Sequence, residues 1–539
     1  MNTCKAAIAL AAMAIALDSA QAAPTVQATL TVGNQAPVMC TDSVLARAFV
    51  PNYADGTLSI IDLDTLKVSA TLPVGPNPRR LACNEATHRL YLVNATTPGT
   101  VTVVDAKANA VIATIPVGND PRTLGANFFI DEIYVSNYDS DTVSIVSTAT
   151  HAVLATVAVG RAPLAPASSN NLYKTYVPSA TDGTVSVIDQ KSRRVTRTIP
   201  VGNGPQFAAI DGKHDKVYVN NVTDQTVSVI DSATDTVVRT IATGAGTPSN
   251  FGSVSSAYRR YYLPNATDDT VTVIDTDTDA VVRTIGVGST PVDVLADAGT
   301  GDLYVVNQGS DSVTIVNAAT ETRIGGFAVG RAPSRIYEMG DQLFVLNANG
   351  VSPDSVTVST KQNTIAGTSI ATEFYHAGFD HYFHSADETE TNLIRDGLFD
   401  DNWHRTFEFW RVWDTPGDGR VAVCRFFSPT FAPRSSHFYT PYPNECAQRQ
   451  AEGVWQLESA AVFYLVLTDA AGNCPSSMAP LYRVYNNNMG GAPNHRYMAS
   501  RELRNRMVAQ GWVAEGNGPD VIFACMPRTE IFWPPPPAP

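Results

Sequence analysis

Three histidines in the last third of the chain are the first residues whose type and spacing could do chemistry. His381, His437 and His495 recur once in each of three similar segments. If these segments form a pseudo-three-fold ring, the imidazoles could converge on a metal ion. A residue repeated once per unit more often makes the same local hydrogen bond in each copy, and no His-Glu-x-x-His motif or added cysteine ligand is present. The histidines are therefore weak metal candidates, and we expect neither a metal nor a cofactor.

Tryptophans and arginines are the second set of candidate binding residues. All six tryptophans lie after residue 400. Trp455 and Trp512 occupy repeat positions and are expected in the core, whereas Trp413 falls outside the pattern and is expected at the surface, where an indole can stack on a sugar ring. The arginines that follow a repeated glycine in the first part of the chain are candidates for an anion-facing rim: Arg79, Arg80, Arg122, Arg161, Arg331 and Arg335. Scattered solvated charge is the plainer interpretation of these arginines.

No catalytic motif accompanies these residues. The chain has no nucleophile elbow, phosphate loop, dinucleotide fingerprint or zincin motif, so no catalytic residue is predicted. Its net charge is −14, from 37 basic and 51 acidic residues, which argues against nucleic acid or anionic lipid as a partner.

The elements that position these residues begin with a repeat of about 42 residues. A glycine recurs in eight units, at Gly33, Gly75, Gly118, Gly160, Gly202, Gly244, Gly288 and Gly330. Each unit continues with a proline, an aromatic–aliphatic strand such as 90–93, and alternating β-branched strands such as 184–189 and 195–199. The side chains alternate with period two, which predicts strands. The Gly, Asn, Asp and Pro residues at each junction predict the turns between them. Four strands in ~42 residues are typical of a β-propeller blade.

The number of units predicts eight four-stranded blades, with a seven-bladed ring plus one atypical unit as the alternative. The last unit lacks its final Ala-Thr-Ile strand, and a matching strand stands instead at residues 28–33. We therefore expect the N-terminal strand to complete the last blade, which would remove the exposed edges of an open array.

The repeat resembles the YVTN family of β-propellers over residues 25–360. The signature Tyr-Val-x-Asn, then Thr-Val-Ser-Val-Ile-Asp, then Ala-Thr-Ile-x-Val-Gly occurs nearly intact, as at 218–221 and 184–189. The resemblance implies a secreted or surface propeller, and it does not imply one reaction, because propellers host both binding and catalysis.

After a linker at 361–372, a second module spans 373–527. Three units each carry a paired aromatic strand, a His-containing strand, a short polar stretch and a closing aromatic strand. Ser500 is the expected N-cap of a helix that ends at Gly511, while Asn444, and Ser385 or Asp387, are candidate caps for the other two helices. The module is thus predicted to be a small α+β domain with pseudo-three-fold repetition.

This module resembles an uncharacterised secreted repeat domain built on His-Phe-Tyr-Thr and Gly-Trp motifs. The matching stretches are 437–440, 482–485 and 494–497. The first unit departs most from the pattern. The resemblance suggests binding, because such domains are often appended to cell-wall or surface proteins.

The chain has seven cysteines, of which Cys4 lies in the predicted signal peptide, and the even number that remains favours disulfides, with Cys40 predicted to pair with Cys83. Cys40 and Cys83 follow the motif prolines of successive units, so equivalent strands of adjacent blades could bring them together. The other four allow three connectivities, among which we favour Cys424–Cys446 and Cys474–Cys525.

The ends of the chain predict an exported protein. Residues 1–22 read as a bacterial-type signal peptide with an apolar run and an Ala-Gln-Ala cleavage site, and residues 528–539 as a Pro-rich tail. No later run is long enough to span a membrane. We expect a periplasmic, secreted or cell-surface protein that binds without catalysis: a propeller platform whose C-terminal module engages a surface glycan, the cell wall or a protein. The alternative is a lactonase-like hydrolase or lyase acting at the mouth of the propeller channel.

Overall fold

The computed structural model describes residues 24–169, 173–211, 214–243, 251–255, 258–297, 301–340, 342–348, 353–361, 367–376, 378, 381–387, 390–391, 403–428, 436–475, 478–487 and 493–527. The predicted signal peptide, the Pro-rich tail and most of the first predicted helix of the C-terminal module lie outside these residues.

Residues 26–360 form eight four-stranded antiparallel sheets, which are the eight blades of a propeller. Blade 1 contains β2 (Cys40–Asp42), β3 (Arg47–Asn52), β4 (Thr57–Asp62) and β5 (Lys67–Pro73), and blade 2 contains β6 (Pro78–Asn84), β7 (Arg89–Asn94), β8 (Thr100–Asp105) and β9 (Ala110–Pro116). Blade 3 contains β10 (Pro121–Asn127), β11 (Glu132–Asn137), β12 (Thr142–Ser147) and β13 (Val153–Ala158), and blade 4 contains β14 (Ala167–Ser169), β15 (Lys174–Ser179), β16 (Thr184–Asp189) and β17 (Arg194–Pro200).

Blade 5 contains β18 (Pro205–Asp211), β19 (Lys216–Asn221), β20 (Thr226–Asp231) and β21 (Thr236–Ala242), and blade 6 contains β22 (Ser253–Ser255), β23 (Arg260–Asn265), β24 (Thr270–Asp275) and β25 (Ala280–Gly286). Blade 7 contains β26 (Pro291–Asp297), β27 (Asp302–Asn307), β28 (Ser312–Asn317) and β29 (Thr322–Ala328), and blade 8 contains β30 (Pro333–Met339), β31 (Gln342–Asn347), β32 (Ser355–Thr360) and β1 (Val26–Thr31). One 3-10 helix, Gln308–Ser310, follows β27.

The N-terminal strand closes the ring, as the sequence predicted. β1 pairs antiparallel with β32, with Leu30 opposite Val356. The side chain of Leu30 packs against a buried cluster that joins blade 8 to blade 1 and includes Phe344 and Val50. The two ends of the propeller sequence therefore come together in blade 8, and this completes the eight-bladed ring.

The repeated polar residues are structural. The Nδ2 of Asn52 donates to Thr57 and Ser59, while its Oδ1 accepts from the Gly33 backbone N–H at 3.0 Å. Asp62 accepts from the Thr65 backbone N–H at 2.8 Å. The same contacts recur in other blades, so these residues hold strand ends and turns in place.

The C-terminal domain is built on a ten-stranded sheet system. Its strands are β33 (Thr368–His376), β34 (His381–Ser385), β35 (Trp403–Trp413), β36 (Arg420–Ser428), β37 (Ser436–Thr440), β38 (Gln456–Val466), β39 (Met478–Tyr485), β40 (His495–Met498), β41 (Val513–Glu515) and β42 (Ala524–Pro527). β33 begins inside the segment predicted as a linker, because residues 368–372 pair with β35.

Within the described residues, two helices pack on this domain, α1 (Pro443–Ala451) and α2 (Arg501–Ala509). Ser500 caps α2 as predicted, accepting from the Leu503 backbone N–H at 3.1 Å. The prediction for α1 was wrong: its N-cap is Tyr442, because the proline that follows starts the helix one residue before Asn444.

Six of the seven cysteines form three disulfides, Cys40–Cys83, Cys424–Cys446 and Cys474–Cys525, with Cα–Cα distances of 6.1, 6.3 and 5.6 Å. The first links blade 1 to blade 2. Within the described part of the chain, no helix is long and apolar enough to cross a membrane.

Candidate functional site

The centre of the propeller is lined by the first strand of each blade. In five blades a β-bulge follows the initial proline, and the residue after it is Arg80, Thr123, Phe207, Asp293 or Arg335. Counting back from the paired ends of the shorter first strands adds the other three blades. These eight equivalent residues are here called the channel ring: Val38, Arg80, Thr123, Ala165, Phe207, Phe251, Asp293 and Arg335.

Contacts between blades that are not neighbours show that the channel ring reaches into the central channel. The Arg335 guanidinium of blade 8 lies 3.0 Å from the ring centroid of Phe251, in blade 6. Phe251 in turn packs edge-on against Phe207 of blade 5, at 5.5 Å. The ring therefore combines an apolar aromatic side with a charged side.

One carboxylate belongs to the charged side. Asp293 lies 3.9 Å from Arg335 Nη1 and accepts from the backbone N–H groups of Val294 and Ile336 at 3.0 and 3.1 Å. Burial raises the pKa of Asp293 against the opposing effect of Arg335. Burial likewise lowers the pKa of Arg335, which Asp293 counteracts.

The predicted rim of arginines is not one site. Arg80 belongs to the channel ring, and its charge acts on Asp293 and Arg335 from across the channel. Arg122 instead pairs with Asp120 at 2.7 Å and covers the Tyr138 ring. Arg161 is 65% exposed and pairs with Asp182 at 2.6 Å. Arg79 is half-buried and Arg331 is exposed.

In the C-terminal domain, three hairpins surround a pseudo-three-fold axis. They are β33–β34, β36–β37 and β39–β40, which pair in the same register. The Tyr439 hydroxyl bridges the backbone N–H and C=O of His384 at 3.0 and 2.8 Å. The Tyr497 hydroxyl makes the same bridge to Tyr439 at 3.0 and 2.7 Å. His384 stands where the other units have tyrosine, and its side chain interacts with the Tyr497 backbone.

A cavity lies on this axis. It is lined by His384, Trp410, Val423, Tyr439, Phe463, Leu465, Leu481, Tyr497 and Phe523. Its walls are the packed core of the domain and not a surface site.

Each hairpin carries a pair of facing aromatic rings near its tip. The pairs are Tyr375–Tyr382, Phe427–His437 and Tyr485–His495, with centroid separations of 4.7, 5.0 and 4.9 Å. The equivalent of His437 and His495 is thus Tyr382, so the three histidines of the sequence pattern are not structurally equivalent. The first unit is shifted by one residue relative to the alignment of the His motifs.

The three histidines do not repeat one local hydrogen bond, as the plainer interpretation expected, but make different contacts. His381 Nε2 accepts from the His437 backbone N–H at 2.8 Å. Burial and the neighbouring histidines lower the pKa of His381 well below its usual value. His495 packs elsewhere, 4.9 Å from the Phe438 ring. Among the described residues, no group of three or more His, Cys, Asp or Glu side chains could hold a metal ion.

Arginine–glutamate clusters join one unit to the next. Arg425 makes two bonds of 2.9 Å to Glu390 of the preceding unit and pairs with Glu458 at 2.9 Å. The third unit repeats this arrangement: Arg483 contacts Glu445 twice at 3.2 Å and pairs with Glu515 at 2.8 Å. These contacts fasten the three units into one domain.

The junction between the third and first units reverses the charges. Glu373 stands at the position of Arg425, and it binds Arg496 at 2.8 Å and His384 at 2.9 Å. Burial alone raises the pKa of Glu373, but Arg496 and His384 lower it to about 2.

The prediction of a surface Trp413 was wrong. Trp413 is only 8% exposed and packs with Val466 and Cys525, while the Arg420 guanidinium covers its ring at 5.0 Å. It ends β35 at the point where β35 pairs with β38, and this pairing buries an indole that the repeat pattern placed outside the core. Trp455 is buried as predicted, and Trp512 is half-buried.

One family model matches the C-terminal part of the chain. The family described as "Domain of unknown function (DUF5648)" matches residues 354–466 and 467–522. No curated protein matches the chain.

Solved structures resemble part of this chain. The computationally designed Ika8 protein has 13% identity and a TM-score of 0.50, covering 61% of this chain and 98% of its own. The dihydro-heme d1 dehydrogenase NirN in complex with DHE has 14% identity and a TM-score of 0.49, covering 62% and 78%. Kuenenia stuttgartiensis hydrazine synthase has 18% identity and a TM-score of 0.43, covering 53% and 95%. At these identities the likeness concerns the fold alone.

Sequence reasoning missed Phe207, Phe251 and Asp293 as partners of the arginines. A signal existed for part of the ring. In six units the residue two positions after the motif proline changes in chemistry from unit to unit: Arg80, Thr123, Ala165, Phe207, Asp293 and Arg335. Phe251 stands three positions after Pro248, so this spacing does not find it. Functional positions in a repeat array are expected where the repeat is broken.

Proposed function

We propose that the protein is an exported, non-enzymatic binding protein in which the propeller is a rigid platform and the C-terminal domain engages a cell-surface or cell-wall glycan. The observation that carries this proposal is the three-fold set of aromatic pairs at the hairpin tips. Tyr375, Tyr382, Phe427 and Tyr485 are all half-buried, so part of each ring reaches the surface. Flat aromatic rings beside polar groups are suited to the apolar faces of sugars.

Charged contacts between the start of the C-terminal segment and the propeller support the same proposal. Lys361, only 2% exposed, pairs with Asp297 at 2.9 Å and Glu338 at 2.6 Å. Arg411 of the C-terminal domain interacts electrostatically with the carboxylates of Asp302 and Asp297 of the propeller. Three disulfides agree with an exported protein.

Glycan arrays probed with the full chain test this function. Substituting Tyr382→Ala together with Tyr485→Ala should abolish the signal on any glycan that the wild type binds. Phe129→Ala is the matched control, because this aromatic residue is 86% exposed on the propeller. Absence of wild-type binding to every glycan and to isolated cell wall, or equal loss in the control, would overturn the proposal.

A further inference from the structure

We propose that the channel ring binds a small organic anion, with Arg80 pairing its carboxylate or phosphate group and the Phe207–Phe251 side receiving its apolar body. This site is separate from the hairpin tips of the C-terminal domain, so it goes beyond the function proposed above.

The first step is the balance of charge in the ring. Its described charged members are Arg80, Asp293 and Arg335. Asp293 forms an ion pair with Arg335, at 3.9 Å, and accepts hydrogen bonds from two backbone N–H groups. The ring therefore carries one positive charge in excess, and that charge belongs to Arg80.

The second step is the state of Arg80 itself. It is half-buried in β6, and among the described residues it has neither a hydrogen-bond nor an ion-pair partner. Arg122 and Arg161 outside the ring are both paired. An unpaired, half-buried guanidinium favours an anion, because its fork of N–H groups binds carboxylate and phosphate in a bidentate manner.

The third step is the surroundings of Arg80. Thr123, the next residue around the ring, has a buried hydroxyl without a hydrogen-bond partner among the described residues, and this hydroxyl can donate to a second anion oxygen. Phe207 and Phe251 supply an apolar wall on the far side of the ring. A few convergent polar groups beside an apolar surface are typical of small-molecule sites.

The position of the ring places the site near one mouth of the channel. Arg80 is the third residue of β6, so it lies close to the rim formed by the repeated glycine–proline turns.

Calorimetric titration of the full chain tests the site with benzoate, phenyl phosphate and the neutral benzamide. At least one anion should bind, and benzamide should bind at least tenfold more weakly than that anion. Arg80→Met should weaken binding of the anion at least tenfold, Arg80→Lys should weaken it less, and Arg161→Met should change it less than twofold. The two anions distinguish a carboxylate from a phosphate ligand.

Several results would overturn the site: binding of neither anion, equal affinity for benzamide, wild-type affinity in a folded Arg80→Met protein, or equal loss in Arg161→Met. If Arg80→Met does not fold, Arg80→Lys takes its place, and wild-type affinity in Arg80→Lys would overturn the site. Glycan binding by the hairpin tips is unaffected by any of these outcomes.

Discussion

Glu373 shows how a single residue changes one junction of a repeated domain. In the other two units its position is held by Arg425 and Arg483, each paired with glutamates. Here the carboxylate is buried and its partner is Arg496. Arg496 stands where the other two hairpins have phenylalanine, and it supplies the positive charge that pairs with Glu373. The exchange preserves an ion pair in the core while changing which unit provides the cation.

Glu373→Gln should weaken the protein most at neutral pH. The pKa of Glu373 is about 2, against an ordinary 4.5, so its stabilisation is complete above about pH 4.5 and is lost as the pH falls toward 2. The difference in unfolding free energy should be roughly 3 kcal/mol at neutral pH and should shrink across that window. Urea unfolding from pH 7 to pH 2 measures it, with the exposed Glu452→Gln as control. A difference independent of pH would contradict the assignment.

Trp413→Ala should destabilise the C-terminal domain and not act through a lost ligand contact. Because the indole is buried, the loss should be about 3–5 kcal/mol. Denaturant unfolding followed by tryptophan fluorescence measures the change. Wild-type stability with reduced glycan binding would show instead that the indole is a surface contact.

At the scale of elements, β1 is the strand on which the ring depends. It is the last strand of blade 8 although it comes first in sequence. Its residues alternate between exposed and half-buried, and Leu30 faces the cluster between blades 8 and 1. Closure thus buries apolar surface and pairs an edge strand at once.

Leu30→Asp should open this closure. A charge placed against the apolar cluster should cost about 2 kcal/mol or more, seen as a lower propeller melting temperature. Thr29→Asp is the control, since this neighbour on the same strand is exposed. Equal effects of the two substitutions would contradict the orientation of β1.

Most elements of the propeller follow from the sequence because the information is local. Period-two strands, turn residues and a fixed repeat predict blades without knowledge of distant contacts. The channel ring does not follow in this way, since the charge of Arg80 acts on Asp293 only after the ring closes. The register of the first hairpin was also missed, because a one-residue shift exchanges His381 with Tyr382, and only the pairing of β33 with β34 decides between them.

At the scale of the whole molecule, two modules with different chemistry share a buried ionic junction. Lys361 contacts both blade 7 and blade 8 through Asp297 and Glu338. Arg411 Nη1 donates a hydrogen bond to Thr368 Oγ1 at 3.1 Å. The charges of Asp297 and Asp302 of blade 7 act on the same guanidinium. Buried charges of this kind hold a defined geometry only while every partner is present.

Lys361→Met should therefore loosen the junction. The unpaired carboxylates should cost about 3–5 kcal/mol, and calorimetry should show the C-terminal domain unfolding separately from the propeller. Lys107→Met, at an exposed turn, is the control and should leave the transitions unchanged. An unaltered profile in Lys361→Met would show that the junction does not couple the modules.

Cosedimentation of the full chain with isolated cell envelope tests most directly whether the C-terminal domain is the recognition module. The wild type and Arg80→Met should sediment equally, whereas Tyr382→Ala with Tyr485→Ala should stay in solution at the same concentration. Loss of binding in Arg80→Met with retention in the tyrosine variant would place recognition in the propeller and contradict the proposed function.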